Sequence, residues 1–256
     1  NFWVLYFDSI NPPGSTYYTY TRYGKSINVY KKMIDFSKRE LKLTVGGLKS
    51  KTKFLLKGSY FFNSCNGESL PDAVFEFYPN FFNQEEADVL FDKLINETPW
   101  QQDDITIFGK KVAQPRLTCL FGNEGKPYSY SGLTMQPHAW NPTMMFIKEK
   151  VDKISEQNFT TVLANLYRNE KDSNGWHADN EKELGRNPII ASVSFGEERK
   201  FQLKHISDNN VKLSLNLNHG SLLVMKEGSQ IHYKHQIPKA TQSKNARINL
   251  TFRTIL

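Results

Sequence analysis

ARINLTFRTIL, residues 246–256, alternates polar and apolar side chains residue by residue, the pattern of a β-strand. Arg247, Asn249, Thr251 and Arg253 share one face of it; Ile248, Leu250 and Phe252 line the other. Working back along the chain, TTVLANLYR (160–168), PIIASVSFG (188–196), RKFQLKH (199–205), VKLSLNL (211–217), GSLLVMK (220–226) and IHYKHQIP (231–238) have a similar texture. Each is short, rich in β-branched and aromatic residues, and bounded by Gly, Asn, Asp or Pro. Seven such strands with no helix between them predict an antiparallel barrel or jelly roll. Upstream, VFEFYPNFFNQEEADVLFDKLINETPW (74–100) reads as a strand, a turn at Pro79-Asn80, and a helix over about 84–97 capped by Asn83. Apolar Ala87, Leu90, Phe91, Leu94 and Ile95 fall at helical spacing and form its core face. A second helix is predicted near 142–157, with Pro142 in its first turn and Met145, Phe146 and Val151 on its buried side. The fold class is mainly β with supporting helices.

The 256 residues suffice for one large domain or a core domain with an extension. No apolar run approaches the roughly 20 residues of a membrane helix, so no membrane association is expected. Two cysteines, Cys65 and Cys119, lack metal spacing and fit a reducing intracellular compartment. Charge is unevenly placed. Residues 1–57 hold eleven Lys/Arg against three acids, a balance of +8, while the whole chain is +7. A basic, aromatic-rich N-terminal extension over residues 1–70, weakly structured, is expected to precede a folded domain over 71–256. Such a cationic arm is either a solvated tail or an aid to nucleic-acid binding.

Trp176-His177-Ala178-Asp179 follows the strand LANLYR and the loop NEKDSNG. A His and a carboxylate two residues apart on extended backbone point the same way, so both reach one cation. The third ligand is His235 or His232; three residues apart on a strand, these two face opposite ways and only one can serve. His138, His205 and His219 have no partner pattern and read as structural. Two His and one carboxylate on one side of a metal leave positions free for cosubstrate and O₂, the arrangement of non-haem Fe(II) oxygenases. HxD spacing alone carries little weight. The strand at 247–253 adds to it, because two guanidiniums and an amide on one otherwise buried face need an anion. A dicarboxylate meets that need, each guanidinium binding a carboxylate in bidentate fashion. Asn165 and Tyr167 repeat the pattern on the strand entering the metal loop, with Ala164 and Leu166 opposite. The alternative for these residues is the solvated face of an edge strand. Same-face polar pairs on both strands flanking the ligands favour 2-oxoglutarate.

The run NLYRNEKDSNGWHADNEKELGRNPIIASVSFG, the segments PRLTCLFG and PYSYSG, and the ending HYKHQIPK…RINLTFRTIL closely resemble the AlkB family of 2-oxoglutarate-dependent nucleic-acid demethylases. The resemblance covers roughly residues 73–256. It implies a double-stranded β-helix in which His177, Asp179 and His235 hold Fe(II), settling the third ligand. It implies that 2-oxoglutarate is held by Arg247, Arg253, Asn165, Tyr167 and Asn249, and that O₂ is the second cosubstrate. The implied activity removes N-methyl groups from 1-methyladenine and 3-methylcytosine as formaldehyde, in single-stranded DNA and RNA. For such a substrate nucleus and cytoplasm are the expected compartments. Tyr128 and Tyr130 match the motif lining the family's base pocket, where an aromatic sandwiches the flipped ring against His177. Glu181 is placed to accept from an exocyclic amine, and Arg116 matches a pocket-wall position. Asn180 departs from the second acid common there. Two other readings stand beside this one: a catalytically silent nucleic-acid-binding module and a 2-oxoglutarate hydroxylase of a protein.

Overall fold

The structure, a computed structural model, describes Leu70, residues 72–107 and 109–256, and before them only the backbone of seven short strands. These are β1 (Val4–Leu5), β2 (Tyr17–Arg22), β3 (Lys25–Tyr30), β4 (Ile34–Asp35), β5 (Glu40–Leu41), β6 (Leu55–Leu56) and β7 (Tyr60–Phe61). The chain divides into two compact units, residues 1–59 and 60–256. Within the first, β2 and β3 form an antiparallel hairpin, β4 pairs with β5, and β1 runs parallel to β6. The basic arm's side chains, and so its expected role, lie outside the described residues.

The second unit is built on two sheets. The major one holds seven strands, β11 (Leu117–Gly122), β14 (Thr161–Tyr167), β21 (Arg247–Arg253), β16 (Ile190–Gly196), β19 (Ser221–Met225), β8 (Phe75–Tyr78) and β7, in that order. The minor one holds four, β15 (Asn174–His177), β20 (Tyr233–Ile237), β17 (Arg199–His205) and β18 (Lys212–Leu217). All pairings in both sheets are antiparallel. Two hairpins complete the strands: β9 (Asp104–Ile107) with β10 (Lys110–Ala113), and β12 (Tyr128–Tyr130) with β13 (Leu133–Met135). The seven strands foreseen from 160 onward are all present. The bulged β15 joins them, and a helical turn, α3 (Ser229–His232), interrupts the expected strand at Ile231-His232.

Helices α1 (Gln84–Glu97) and α2 (Pro142–Ser155) cover the outer face of the major sheet. That face is apolar because of the strand period: Ala164, Val193, Phe195, Ile248, Leu250 and Phe252 join one buried cluster with Leu90, Leu94, Ile147 and Val151 of the helices. A second cluster fills the space between the sheets, with Leu163, Leu223, Met225 from the major sheet against Phe201, Leu203 and Tyr233 from the minor one. The buried face of α2 differs from expectation. Met144, Ile147 and Val151 point inward, at helical spacing, while Met145 and Phe146 are exposed. In the run MMFI every position is apolar, so the register of the stripe is fixed by Ile147 and Val151 rather than by composition. At the end of β16, Gly196 takes φ +82°; a Cβ there would stand 2.5 Å from the Ala246 carbonyl oxygen, blocking the entry of β21.

Asn83 caps α1 through its Oδ1, which accepts from the Glu86 N–H at 2.9 Å, and the Glu86 carboxylate accepts in return from the Asn83 N–H. Asn83→Ala is expected to cost about 1 kcal/mol in chemical denaturation, by leaving that N–H without its partner. An unchanged midpoint would mean that water replaces the cap at no cost.

Candidate metal centre and cosubstrate cavity

β15 and β20 lie side by side, with His177 opposite His235 in the register. The two imidazoles are therefore neighbours, their ring centroids 4.2 Å apart. Asp179, just beyond the end of β15, brings its Oδ1 to 3.8 Å from His177 Nε2. One ligand atom from each of these three residues falls within 4.8 Å of the others. Hydrogen bonding sets which nitrogen of His177 carries the lone pair, toward which the Asn174 Nδ2 donates at 3.3 Å. The His177 Nδ1 donates to the Gly175 carbonyl at 2.7 Å, so the lone pair is on Nε2, on the side of Asp179. His235 packs against the Phe201 ring, with centroids 5.3 Å apart, and its Nδ1 is buried with no partner. Burial pushes both imidazoles down, His235 to about 3, which keeps them neutral and able to ligate. Burial also pushes the Asp179 carboxyl up, but the Arg253 guanidinium outweighs it and the group is held down at about 2. Two neutral imidazoles and one fixed carboxylate suit Fe(II).

His232 is not among these groups. It ends α3, and its ring lies parallel to that of His205 with centroids 6.0 Å apart. Asp72 joins this pair, giving a second His/Asp cluster. There, however, His205 Nδ1 accepts from the N–H groups of Ser207 and Asp208 at 3.2 and 3.0 Å. The proton must then be on Nε2, 3.5 Å from Asp72 Oδ2, so that nitrogen has no lone pair for a cation. His219 is likewise structural: its Nδ1 accepts from the Gly196 N–H at 2.7 Å and its Nε2 lies 3.1 Å from Asp88 of α1.

The metal cluster opens into a cavity of about 310 Å³ between the sheets. Every residue singled out above as a ligand, clamp or substrate contact lines it. β21 supplies Arg247, Asn249 and Arg253 from its inward face, all buried. β14 supplies Asn165 and Tyr167, registered against Asn249 and Arg247. Arg247 Nη2 donates to Ser194 Oγ at 2.8 Å, whereas its Nε and Nη1 are buried without an acceptor. Burial lowers this guanidinium to about 10. A cation buried at a cavity wall with two N–H groups unpaired is a cradle for a carboxylate, and 2-oxoglutarate fits it. Asn249 Nδ2 donates to Ser192 Oγ at 2.8 Å, and the Tyr167 ring lies 5.1 Å from the Arg247 guanidinium. Arg253 is differently employed. Its Nη2 is 3.1 Å from Asp179 Oδ2 and its guanidinium lies 4.7 Å from the Tyr128 ring centroid, so it braces a ligand, while its Nε is buried at the cavity wall without an acceptor.

Tyr128 and Tyr130, also lining the cavity, stand on β12 with rings 5.3 Å apart. Tyr130 Oη accepts from Gln114 Nε2 at 2.9 Å. Glu181 has one carboxylate oxygen buried without a partner, and burial together with Asp179 pushes its pKa up. Arg116 Nε donates to Asn165 Oδ1 at 2.7 Å and its Nη1 to the Ser173 carbonyl at 3.3 Å, joining the cradle to the metal loop.

Several supporting residues escaped the sequence reading. Ser192 and Ser194 alternate with apolar residues on β16, a signal of the same kind as that on β21. Gln230 on α3 accepts from the Asp179 N–H through Oε1 at 2.9 Å, and nothing in its local sequence marks it. Arg199, fully buried, donates to the carbonyls of Asn169, Asp172 and Pro238 and so pins the metal loop.

Residues 75–253 match the 2OG-Fe(II) oxygenase superfamily. The alpha-ketoglutarate-dependent dioxygenase alkB homolog 3 of Bos taurus is 41% identical over 191 residues, covering 69% of this chain and 64% of that protein. Its Homo sapiens counterpart is 40% identical, covering 70% and 65%. The DNA oxidative demethylase ALKBH2 of Mus musculus is 35% identical, covering 70% and 79%. The chain thus spans less than two thirds of the length of the alkB homolog 3 proteins. The solved structure of OsALKBH1 superposes with a TM-score of 0.52 over 70% of this chain and 97% of that one, at 16% identity, which bears on the jelly-roll fold. Taken with the match over 75–253, the chain belongs to the AlkB family of 2OG-Fe(II) oxygenases.

Proposed function

We propose that the chain oxidatively demethylates 1-methyladenine and 3-methylcytosine in single-stranded DNA and RNA. The observation that carries this is one cavity whose lining brings together the His177, Asp179 and His235 cluster, a buried guanidinium and amide cradle, and aromatic and acidic side chains. Bound there, Fe(II) with 2-oxoglutarate and O₂ supplies an oxidant able to hydroxylate an N-methyl carbon. His177, Asp179 and His235 hold the metal, and Arg247, Asn249, Asn165 and Tyr167 orient the cosubstrate. Arg253 serves chiefly by fixing Asp179. Tyr128 and Tyr130 form the wall against which a base stacks after leaving its strand, a step that is easiest from a single strand. Glu181 accepts from the exocyclic amine. Its buried carboxylate also gains from a cation, and the two methylated bases carry positive charge where their parent bases do not. Nucleus and cytoplasm are the compartments in which such substrates are met.

The test is incubation with Fe(II), 2-oxoglutarate and O₂ on oligonucleotides carrying 3-methylcytosine, as single-stranded DNA, double-stranded DNA and RNA, followed by mass spectrometry. Loss of one methylene mass with formaldehyde release is expected, fastest on single strands. Turnover of 2-oxoglutarate that no methylated oligonucleotide stimulates would point to a protein substrate instead.

A further inference from the structure

The outer face of the minor sheet carries charge of one sign. On β17 the side chains of Phe201 and Leu203 are buried, so Lys200, Gln202 and Lys204 point the other way, away from the cavity. Lys204 is registered against Lys234 of β20 on one side and Lys212 of β18 on the other. Three ammonium groups therefore stand side by side across three adjacent strands, an arrangement that repels itself. Lys200 adds a fourth lysine to this face, and the other outward positions, among them Gln202, Ser214, Asn216 and Gln236, are uncharged. The acids nearest in the chain, Glu198 and Asp208, sit in the turns flanking β17. Lysines that do form ion pairs among the described residues, such as Lys148, Lys150, Lys226 and Lys244, lie elsewhere. Protection of a sheet edge explains Lys212 on the edge strand β18, but not Lys204 and Lys234 on interior strands.

An aromatic completes the face. Trp176 of β15 is 38% exposed, and Lys204 Nζ lies 4.4 Å from its ring centroid. The face also connects with the reaction cavity. A shallow notch lined by Asn180, Ile206, Ile231 and Lys234 shares His177 and Ala178 with it, so a chain leaving the cavity by that side meets Lys234 first.

We propose that this face binds the phosphodiester backbone of single-stranded nucleic acid flanking the reacting base, with Trp176 as a stacking surface for one flanking base. The inference rests on the nucleic-acid reading above. Phosphates relieve the repulsion along the lysine row, and moving Lys204 from the ring to a phosphate uncovers the indole. An unpaired strand offers both backbone charge and free base faces, the two features this surface presents partners for.

The test measures binding of the full chain to a fluorescent, unmethylated thymidine oligonucleotide over a salt series, with poly-glutamate of similar length as the second arm. In the variant Lys204→Ser/Lys212→Ser/Lys234→Ser the slope of log K against log salt should shrink by about 2 for the oligonucleotide. Trp176→Ala should weaken binding about tenfold while leaving the slope unchanged. If the triple variant fails to fold, Lys212→Ser alone, on the edge strand, should reduce the slope by about 0.7. A slope that the lysine substitutions leave unmoved overturns the proposal, as does poly-glutamate binding as tightly with the same losses, which would assign the face to an acidic protein. Because the probe is unmethylated, this outcome is independent of the demethylation assay, whose failure would sink the parent reading alone.

Discussion

Asp179→Ala is expected to take turnover to background and to weaken the fold as well. The first effect follows from the donor set: two neutral imidazoles remain, without the charge that completes the site. The second follows from Arg253, which is buried and paired with Asp179 at 3.1 Å. Removing one partner of a buried pair leaves the other charge without compensation, a loss of about 3–5 kcal/mol. Denaturant titration of the metal-free protein separates this from loss of metal, and Asp179→Asn, which keeps the shape, should lie between. Normal iron content and normal turnover in the alanine variant would remove Asp179 from the site. A metal-free stability equal to that of the parent would mean that Arg253 finds another partner.

Arg247→Lys is expected to raise the KM for 2-oxoglutarate by about tenfold to a hundredfold while changing kcat far less. The magnitude is that of a charge-assisted hydrogen bond, about 1.5–3 kcal/mol, lost when a planar fork becomes a point charge. The guanidinium is held in place from behind by Ser194 and flanked by the Tyr167 ring, leaving Nε and Nη1 for the ligand. A lysine in that position has no second donor in the same plane. Steady-state kinetics at varied 2-oxoglutarate and saturating oligonucleotide read the effect. An unchanged KM would mean that the cradle does not hold the cosubstrate.

The legible part of this protein was its strand period. Alternation along 247–253 fixed which side chains enter the cavity and which enter the core, because a strand has only two faces. The same rule placed Asn165 and Tyr167 on the cavity side of β14. HxD was legible as a pair but not as a site, since the third ligand comes from a strand that pairs with β15 only in three dimensions. Strand parity left His232 and His235 both open as the third ligand, and it assumed a strand where the chain is helical. His232 ends a helical turn, and its ring is engaged with His205. Gln230 was invisible because its role depends on where α3 delivers it, beside the Asp179 N–H. The α2 face was misjudged by one residue because Met144, Met145, Phe146 and Ile147 are all apolar, and only the neighbouring layer decides which two of them it covers.

β21 is the last strand of the oxygenase domain along the chain, yet it sits inside the major sheet between β14 and β16. While the domain is being synthesised, every other strand leaves the ribosome first. Until residues 247–253 emerge, β14 and β16 each present an unpaired row of backbone groups where their common neighbour belongs. The sheet therefore closes after translation of the domain rather than along with it, through pairings of long sequence separation that form slowly. The interval before closure is the period in which this protein is most exposed to aggregation, and a chain cut short before Arg247 would remain in that state.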